Sequence, residues 1–359
     1  MVCAMLQTHT SDSFFMTLLP IPLLSTVIDV KRLGVSFRLD EGELKAANDV
    51  SFRLDRAKTL GVVGESGCGK TVTAMALMGL TPKPGQVTGS ATLHCKDGSL
   101  VDLVALDSEG REMRSVRGKE ISMIFQEPMK AFSPVHTIGD QILEGVLLHN
   151  TSDRKLAMDI VLEVLSRVHI SNVKQRVHEY PHQLSGGMRQ RAMIAMALAC
   201  RPSILIADEP TTALDVTVQA QVLNLIQELQ RDSGMALIVI THDMAVIAQV
   251  ANDVIVMYLG NVVETASVET LFHAPAHPYT QALLQSIPSA SLKPRTRLNV
   301  IDGTVPLPLN LPTGCGFWSR CKHAIVGVCD VLDPPLIEVT SGHFARCFLY
   351  GGNGGVDNA

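Results

Sequence analysis

The chain has 359 residues, 46% hydrophobic and 18% charged, with a formal net charge of −5 at pH 7. That is ample for a buried core, and the length allows two or three domains. The mildly negative balance without a large basic run gives no reason to expect a nucleic-acid partner, and no apolar stretch is long enough to span a bilayer.

In chain order, the most apolar N-terminal piece runs from Phe14 to Val27, broken by Pro20 and Pro22. No basic region precedes it and no A-x-A-like site follows, so residues 1–27 are read as a poorly ordered leader rather than a signal peptide. A cytosolic protein follows, with thiols reduced unless they hold a metal. Thr26 to Val30, Gly34 to Leu39 and Asp49 to Leu54 read as antiparallel strands. Next come a short apolar strand, Thr59 to Val63, and the loop Gly64-Glu65-Ser66-Gly67-Cys68-Gly69-Lys70-Thr71. Val72 to Leu80 is helix-compatible, with Gly79 near its end and Pro82 beyond.

That loop is a complete G-x-x-x-x-G-K-[ST] pattern in its strand–loop–helix setting. Its glycines let backbone N–H groups close around a polyphosphate. Lys70 supplies a point charge for the β- and γ-phosphates, and the Thr71 hydroxyl is a Mg²⁺ ligand. The helix N-terminus faces the same phosphates.

Residues 87–125 are mixed and end in the apolar run Ile121 to Phe125. Apolar spacing is helical from Ile138 to Ile170, and Gly186 to Cys200 reads as a further helix. Two buried strands, Ile204 to Ala207 and Ala236 to Ile240, flank a helix from Val216 to Arg231, which implies a parallel sheet. After Phe272 the composition changes: Pro275, Pro278, Pro288, Pro294, Pro306, Pro308 and Pro312 mark a loop-rich segment. Gly351 to Ala359 is read as a disordered tail.

The strand at 204–207 ends in Asp208 and Glu209. A carboxylate at Asp208 can hold Mg²⁺ through water, and Glu209 can polarise an attacking water. Leu184-Ser185-Gly186-Gly187-Met188-Arg189-Gln190 stands just before a helix, where Ser185 and the next N–H groups form a second anion site. This segment, directly upstream of the Asp-Glu strand, resembles the ABC signature motif. With the phosphate loop, the resemblance is to the ABC-transporter ATPase family.

The resemblance implies further roles. Gln126, in Phe125-Gln126-Glu127-Pro128, matches the Q-loop glutamine that contacts the metal and the transmembrane partner. Asp215, in Ala213-Leu214-Asp215, matches the D-loop. His242, in Ile240-Thr241-His242-Asp243, matches the switch histidine on the γ-phosphate. Phe37 is the candidate for stacking on adenine, with Phe52 competing. Residues 178–191, 212–221 and His277-Pro278-Tyr279-Thr280 look like the peptide/nickel importer branch. Two departures stand out: Ala131-Phe132-Ser133-Pro134 replaces a Ser-Leu-Asn-Pro stretch, and Ala57-Lys58 replaces a Gly-Glu turn.

The expected fold is therefore α/β, a P-loop NTPase of ABC type: a mixed central sheet, an antiparallel β subdomain and a helical subdomain at about 129–185. Residues 28–275 would form the ATPase domain, 276–350 a C-terminal extension. The expected activity is ATP hydrolysis with Mg²⁺ that energises uptake of peptides or related small solutes. The expected partners are a second ABC ATPase subunit (a copy or a paralogue), two transmembrane permease subunits and, indirectly, a solute-binding protein. The chain would sit peripherally at the cytoplasmic face of the membrane. Each ATP would lie between the phosphate loop of one subunit and Ser185, Gly186 and Gly187 of the other. The segment Gln126 to His136 is expected at the junction with the membrane partner, with Phe132 in the interface. DNA-acting relatives carry coiled-coil insertions and translation factors carry two cassettes, and neither is seen here. Glu209 and His242 argue against a subunit that only binds ATP.

Cys315, Cys321, Cys329 and Cys347 are spaced C-x5-C-x7-C-x17-C in the loop-rich segment. Four thiols there suggest a metal, without the paired C-x2-C of a zinc ribbon. Around them the sequence resembles the oligopeptide-branch extension, some members of which carry a [4Fe–4S] cluster. Cluster, zinc and free reduced thiols all stand open from the sequence.

Overall fold

Strand-forming residues at the N-terminal end build a long hairpin in the computed structural model, which describes residues 25–127, 131–211, 215–287, 301–306, 309 and 313–350. The readings made for residues 1–24 and 351–359, for Pro128, for Thr212-Ala213-Leu214 and for Pro288, Pro294, Pro308 and Pro312 lie outside the described residues. The first two expected strands are one, β1 (Thr26–Leu39). Its pairing register shifts between Val30 and Val35, and Arg32 takes a φ of 50° there. This irregularity lets Val30, Leu33 and Val35 all turn inward. β2 (Gly42–Asp55) returns antiparallel and absorbs the third expected strand.

β3 (Thr59–Val63) leads into the phosphate loop and α1 (Lys70–Leu77). Ala57, where the resemblance expects glycine, has φ 57°. A side chain held in that left-handed region costs about 1 kcal/mol, so the departure is a strained turn that keeps its shape. β4 (Gln86–His94) pairs with the other edge of β1, β5 (Leu100–Asp102) pairs with β4, and α2 (Arg111–Val116) follows.

β6 (Ile121–Ile124) opens the second half. The helical run expected from 138 to 170 is two helices, α3 (Ile138–His149) and α4 (Arg154–Arg167). The break has a local cause: the Asp153 carboxylate accepts the N–H groups of Lys155 and Leu156 and starts a new helix. α5 (Val173–Arg176) and a 3-10 turn at Pro181–Gln183 lead to α6 (Gly186–Leu198). β7 (Ile204–Asp208), α7 (Val216–Ser233), β8 (Ala236–Thr241), α8 (Met244–Val250), β9 (Asp253–Tyr258), β10 (Asn261–Ser267), α9 (Val268–His273) and α10 (Pro278–Gln285) follow. A 3-10 turn at Trp318–Arg320 precedes β11 (Ile337–Thr340) and β12 (His343–Ala345).

The strands form two sheets, one in the order β2-β1-β4-β5 and one in the order β11-β12-β10-β9-β3-β8-β7-β6. β6, β7, β8, β3 and β9 run parallel, and every residue of β3, β6, β7 and β8 is buried. Such strands read as unbroken apolar runs because helices or a second sheet cover both faces. One core joins α3, α4, α6 and α7 to the main sheet, and the other lies between the two sheets.

Register does the work that matters for function. Val63 stands beside Thr241, and Asp208 beside Ile240. The C-terminal ends of β3, β7 and β8 are therefore level, and the loops that leave them share one edge. Past β9 the sheet turns antiparallel, and β12 pairs with β10 through Glu264–Ala345 and Thr265–Phe344. Phe132 corrects an expectation. It is 5% exposed and sits in the helical core with Ile138 and Ile142, so it is not at a surface. Among the described residues of that segment, Val135 is an exposed apolar side chain, at 72%.

Candidate nucleotide site

The site begins with backbone shape. Gly64 has φ 153° and Gly69 has φ 99°. A Cβ on Gly69 would lie 2.0 Å from the Ala46 carbonyl oxygen, and one on Gly64 would lie 2.2 Å from that of Met257. Only glycine permits this approach of the loop to β2 and to the end of β9. Lys70, 6% exposed, turns its Nζ back onto the loop and donates to the carbonyls of Gly64 at 2.7 Å and Glu65 at 3.0 Å. Cys68 is buried behind it, with its thiol pKa raised by burial.

Thr71 Oγ1 donates to Asp208 Oδ1 at 3.1 Å. Asp208 is 3% exposed, and burial raises its pKa, opposed by the Thr71 hydrogen bond. Next along the chain, Glu209 holds φ 46°, outside the region an L-residue prefers, and its N–H donates to the Ile240 carbonyl at 2.8 Å. That strained turn aims the carboxylate across the edge of the sheet. Gln126 Nε2 donates to its Oε2 at 2.9 Å, and His242 Nδ1 lies 3.2 Å from its Oε1. The Glu209 side chain is only 12% exposed and that of His242 is 59% exposed.

A cleft of about 420 Å³ opens over these groups, with Phe37, Ser66, Lys70, Thr71, Gln126 and Glu209 among its lining. Of the two candidate aromatics, Phe37 is on its wall, while Phe52 packs at the core between the sheets. Residues 64–71, Gln126, Asp208, Glu209 and His242 thus gather at one edge of the sheet. Ser185, Gly186, Gly187 and Asp215 do not line this cleft. Ser185 caps α6 by accepting the Met188 N–H at 3.4 Å, and Ser185 and Gly186 are exposed. A Cβ on Gly186 or Gly187 would meet open space. Asp215 caps α7 through the N–H groups of Thr217 and Val218. Gln190, buried at 3%, donates to the Pro210 carbonyl at 2.6 Å and ties α6 to the turn that carries Glu209.

The four late cysteines converge. Cys315, Cys321, Cys329 and Cys347 line one small cavity of about 10 Å³ beside His277 and Phe317. Burial raises the pKa of Cys315 and Cys347 to about 11 and also raises that of Cys321. Among the described residues, no group of three or more His, Cys, Asp or Glu side chains is arranged to hold a metal ion. Four thiols are the number that a cluster or a zinc ion needs.

Two residues of this neighbourhood escape a reading of the sequence. Arg320 forms a fork on Glu65, with Nη1–Oε2 at 2.7 Å and Nη2–Oε1 at 3.1 Å. Tyr279 Oη accepts the Glu65 N–H at 2.9 Å. Nothing local announces contacts that span 255 and 214 residues.

Comparison with known proteins agrees with this geometry. Residues 47–212 match the family model described as ABC transporter, and residues 263–329 match that described as oligopeptide/dipeptide transporter, C-terminal region. The dipeptide transport ATP-binding protein DppD of Bacillus subtilis is 46% identical over 323 residues, covering 90% of this chain and 94% of the relative. The oligopeptide transport ATP-binding protein OppD of Escherichia coli is 44% identical over 322 residues, covering 90% and 93%. Among solved structures, a dimeric ATP-binding cassette in a post-hydrolysis state with ADP and Pi matches with a TM-score of 0.58. It is 23% identical and covers 67% of this chain and 98% of its own, a likeness of fold.

Proposed function

This chain belongs to the ABC transporter ATPase family, and from that membership we propose that it is the ATP-binding and ATP-hydrolysing subunit of a peptide importer. The observation that carries the chemistry is the shared sheet edge, where the phosphate loop, Asp208, Glu209 and His242 leave three adjacent strands at one level. Kinship with dipeptide and oligopeptide transport ATP-binding proteins carries the substrate class.

In this reading, adenine rests against Phe37. Loop N–H groups and Lys70 take the β- and γ-phosphates, and Lys70 exchanges its loop carbonyls for phosphate oxygens. Thr71, Asp208 and Gln126 are the residues that would hold Mg²⁺, which neutralises phosphate charge when bound. Glu209 orients and deprotonates the attacking water, and His242 donates to the γ-phosphate. The ordinary histidine role is that of a satisfied neighbour. What favours a functional one is its position 3.2 Å from the Glu209 carboxylate.

Ser185, Gly186 and Gly187 serve the ATP of a second ATPase subunit, a copy or a paralogue, with Asp215 near the junction. The exposure of Ser185 and Gly186, away from their own cleft, supports this. Closing and reopening of that dimer drives two permease subunits that receive solute from a binding protein. No helix of the described residues is long and apolar enough to cross a membrane. In this proposal the chain attaches at the cytoplasmic face through the permease. The segment ending at His136 makes that contact, with Val135 in place of Phe132. In this proposal residues 28–275 are the ATPase unit, with 129–185 as its helical part, and 276–350 the extension. The [4Fe–4S] and zinc readings enter no step of this proposal.

The test is Lys70→Ala in the reconstituted transporter. ATP binding should weaken, with ATP turnover and uptake of labelled peptide lost together. Normal ATPase activity in that variant would refute the phosphate-loop assignment. Intact ATP-dependent transport of a non-peptide solute alone would refute the substrate class.

A further inference from the structure

The phosphate loop is gripped from outside the strands that carry it. Glu65 places a carboxylate in a loop read as the seat of a polyphosphate, where an unpaired negative charge would repel the ligand. That carboxylate is not unpaired: it accepts the two-pronged fork of Arg320. The Arg320 side chain is 4% exposed against 26% for Glu65. Its remaining contacts are fixed as well. Nε donates to the Asp302 carbonyl at 3.0 Å, and Nη1 donates also to Tyr258 Oη at 3.2 Å. The guanidinium carbon lies 5.8 Å from the Tyr258 ring centroid and 5.9 Å from that of Phe317. Tyr258, Tyr279 and Phe317 pack on one another with centroids 4.7 to 5.3 Å apart. Tyr279 holds the Glu65 backbone through its hydroxyl. Glu65 is thus held by side chain and by main chain, and its carbonyl is one of the two that receive Lys70.

We propose that Arg320 is a positioning residue for ATP binding, acting through Glu65. Its planar fork neutralises the Glu65 carboxylate and fixes the first turn of the loop, so that Lys70 and the loop N–H groups meet the phosphates already arranged. Arg320 does not touch the nucleotide. It is followed at once by Cys321, so the grip comes from the same short turn that helps line the cysteine cavity. This inference rests on the reading that residues 64–71 hold the phosphates of ATP.

The experiment measures MgATP binding by calorimetry, and ATPase kcat and KM, on the full chain. The variants are Arg320→Ala, Arg320→Lys, Glu65→Gln and the double Arg320→Ala/Glu65→Gln, with Lys70→Ala as reference. Arg320→Ala should raise Kd and KM by about ten-fold, the scale of one lost charge-assisted hydrogen-bonding group, with kcat little changed. Arg320→Lys should recover part of the affinity, since it keeps the charge and loses the fork. The double variant should bind ATP more tightly than Arg320→Ala, because the bare carboxylate has gone. A purely structural arginine would not produce that recovery. Should Arg320→Ala fail to fold, Arg320→Lys and Glu65→Gln still decide. A KM unchanged in both, or effects that multiply in the double variant, would overturn the proposal while Lys70→Ala still abolishes binding. If Lys70→Ala itself leaves ATP binding intact, the loop reading falls, and this inference falls with it.

Discussion

Replacing Glu209 by Gln separates ATP binding from chemistry. Glutamine keeps the length and shape of the side chain and removes its charge. The geometry says what survives. Asp208, not Glu209, accepts the Thr71 hydroxyl, and Lys70 donates to Gly64 and Glu65. The Glu209 N–H to the Ile240 carbonyl is a backbone bond and persists. The amide can still accept from Gln126 Nε2 through its one carbonyl oxygen. What goes is the anion that would take a proton from water. A positioned general base contributes about 10²- to 10⁴-fold, or about 2.7 to 5.4 kcal/mol of barrier at 1.36 kcal/mol per decade. The expected outcome is wild-type ATP affinity by calorimetry and phosphate release slowed at least ~10²-fold, with an ATP-bound dimer accumulating on size exclusion. Phosphate release near the parent rate would show that another group activates water. Loss of ATP affinity would show instead that the carboxylate holds the turn in shape.

Two further outcomes test packing and ionisation. Phe132→Asp buries an unpaired charge in the helical core and should cost about 3–5 kcal/mol, whereas Val135→Asp at an exposed position should stay within ~0.5 kcal/mol. Melting temperature reads the first, and peptide uptake with ATP binding intact reads the second; unchanged uptake in Val135→Asp would remove that residue from the permease contact. His277 is 2% exposed and accepts the Tyr279 N–H, and burial drives its imidazole pKa from 6.5 down to about 3. The unfolded chain takes up a proton below 6.5 that the folded one refuses until about 3. Its stabilising contribution is therefore full above 6.5 and lost as pH falls toward 3, at up to about 1.4 kcal/mol per pH unit. His277→Asn keeps a capping acceptor without the titration and should flatten that part of the acid limb. An equal slope in both proteins would contradict this.

What could be read from the chain follows the range of the interactions. The phosphate loop, the Asp208-Glu209 strand end and the Ser185 cap are patterns a few residues long, set by local backbone needs, and they lie where such patterns put them. Their gathering at one edge is a matter of register, which the apolar runs of β3, β7 and β8 imply only once they are taken as parallel neighbours. Facing was less legible. Phe132 lies in a short apolar segment bounded by proline, and composition gives no sign that it turns into the helical core while Val135 turns out. The break between α3 and α4 was hidden because apolar spacing resumes in phase after the Asp153 cap. β10, β11 and β12 were also missed. β11 is a short edge strand and β12 lies between it and β10, and at four and three residues both are too short for alternation to mark them.

The C-terminal segment shows why long-range contacts matter most here. Its change of composition after Phe272 suggests an appendage, yet the main sheet continues into it through β12. At that junction Glu264 is wholly buried. Its carboxylate accepts the N–H groups of Ala276 at 2.7 Å and His277 at 2.8 Å, and meets His343 Nε2 at 2.8 Å. A buried carboxylate is tolerated only when its lone pairs are taken up, and here the partners come from the start of α10 and from β12. The same α10 carries Tyr279, whose hydroxyl reaches the phosphate loop. One chain of contacts therefore runs from β12 through Glu264 and α10 to Glu65, and a second from the cysteine cavity through Arg320 to the same residue. The proline-rich segment is built into the support of the phosphate loop. Changes made around the cysteines are then expected to be felt first in nucleotide affinity, ahead of the water-activating step at Glu209, whose carboxylate meets Gln126 and His242.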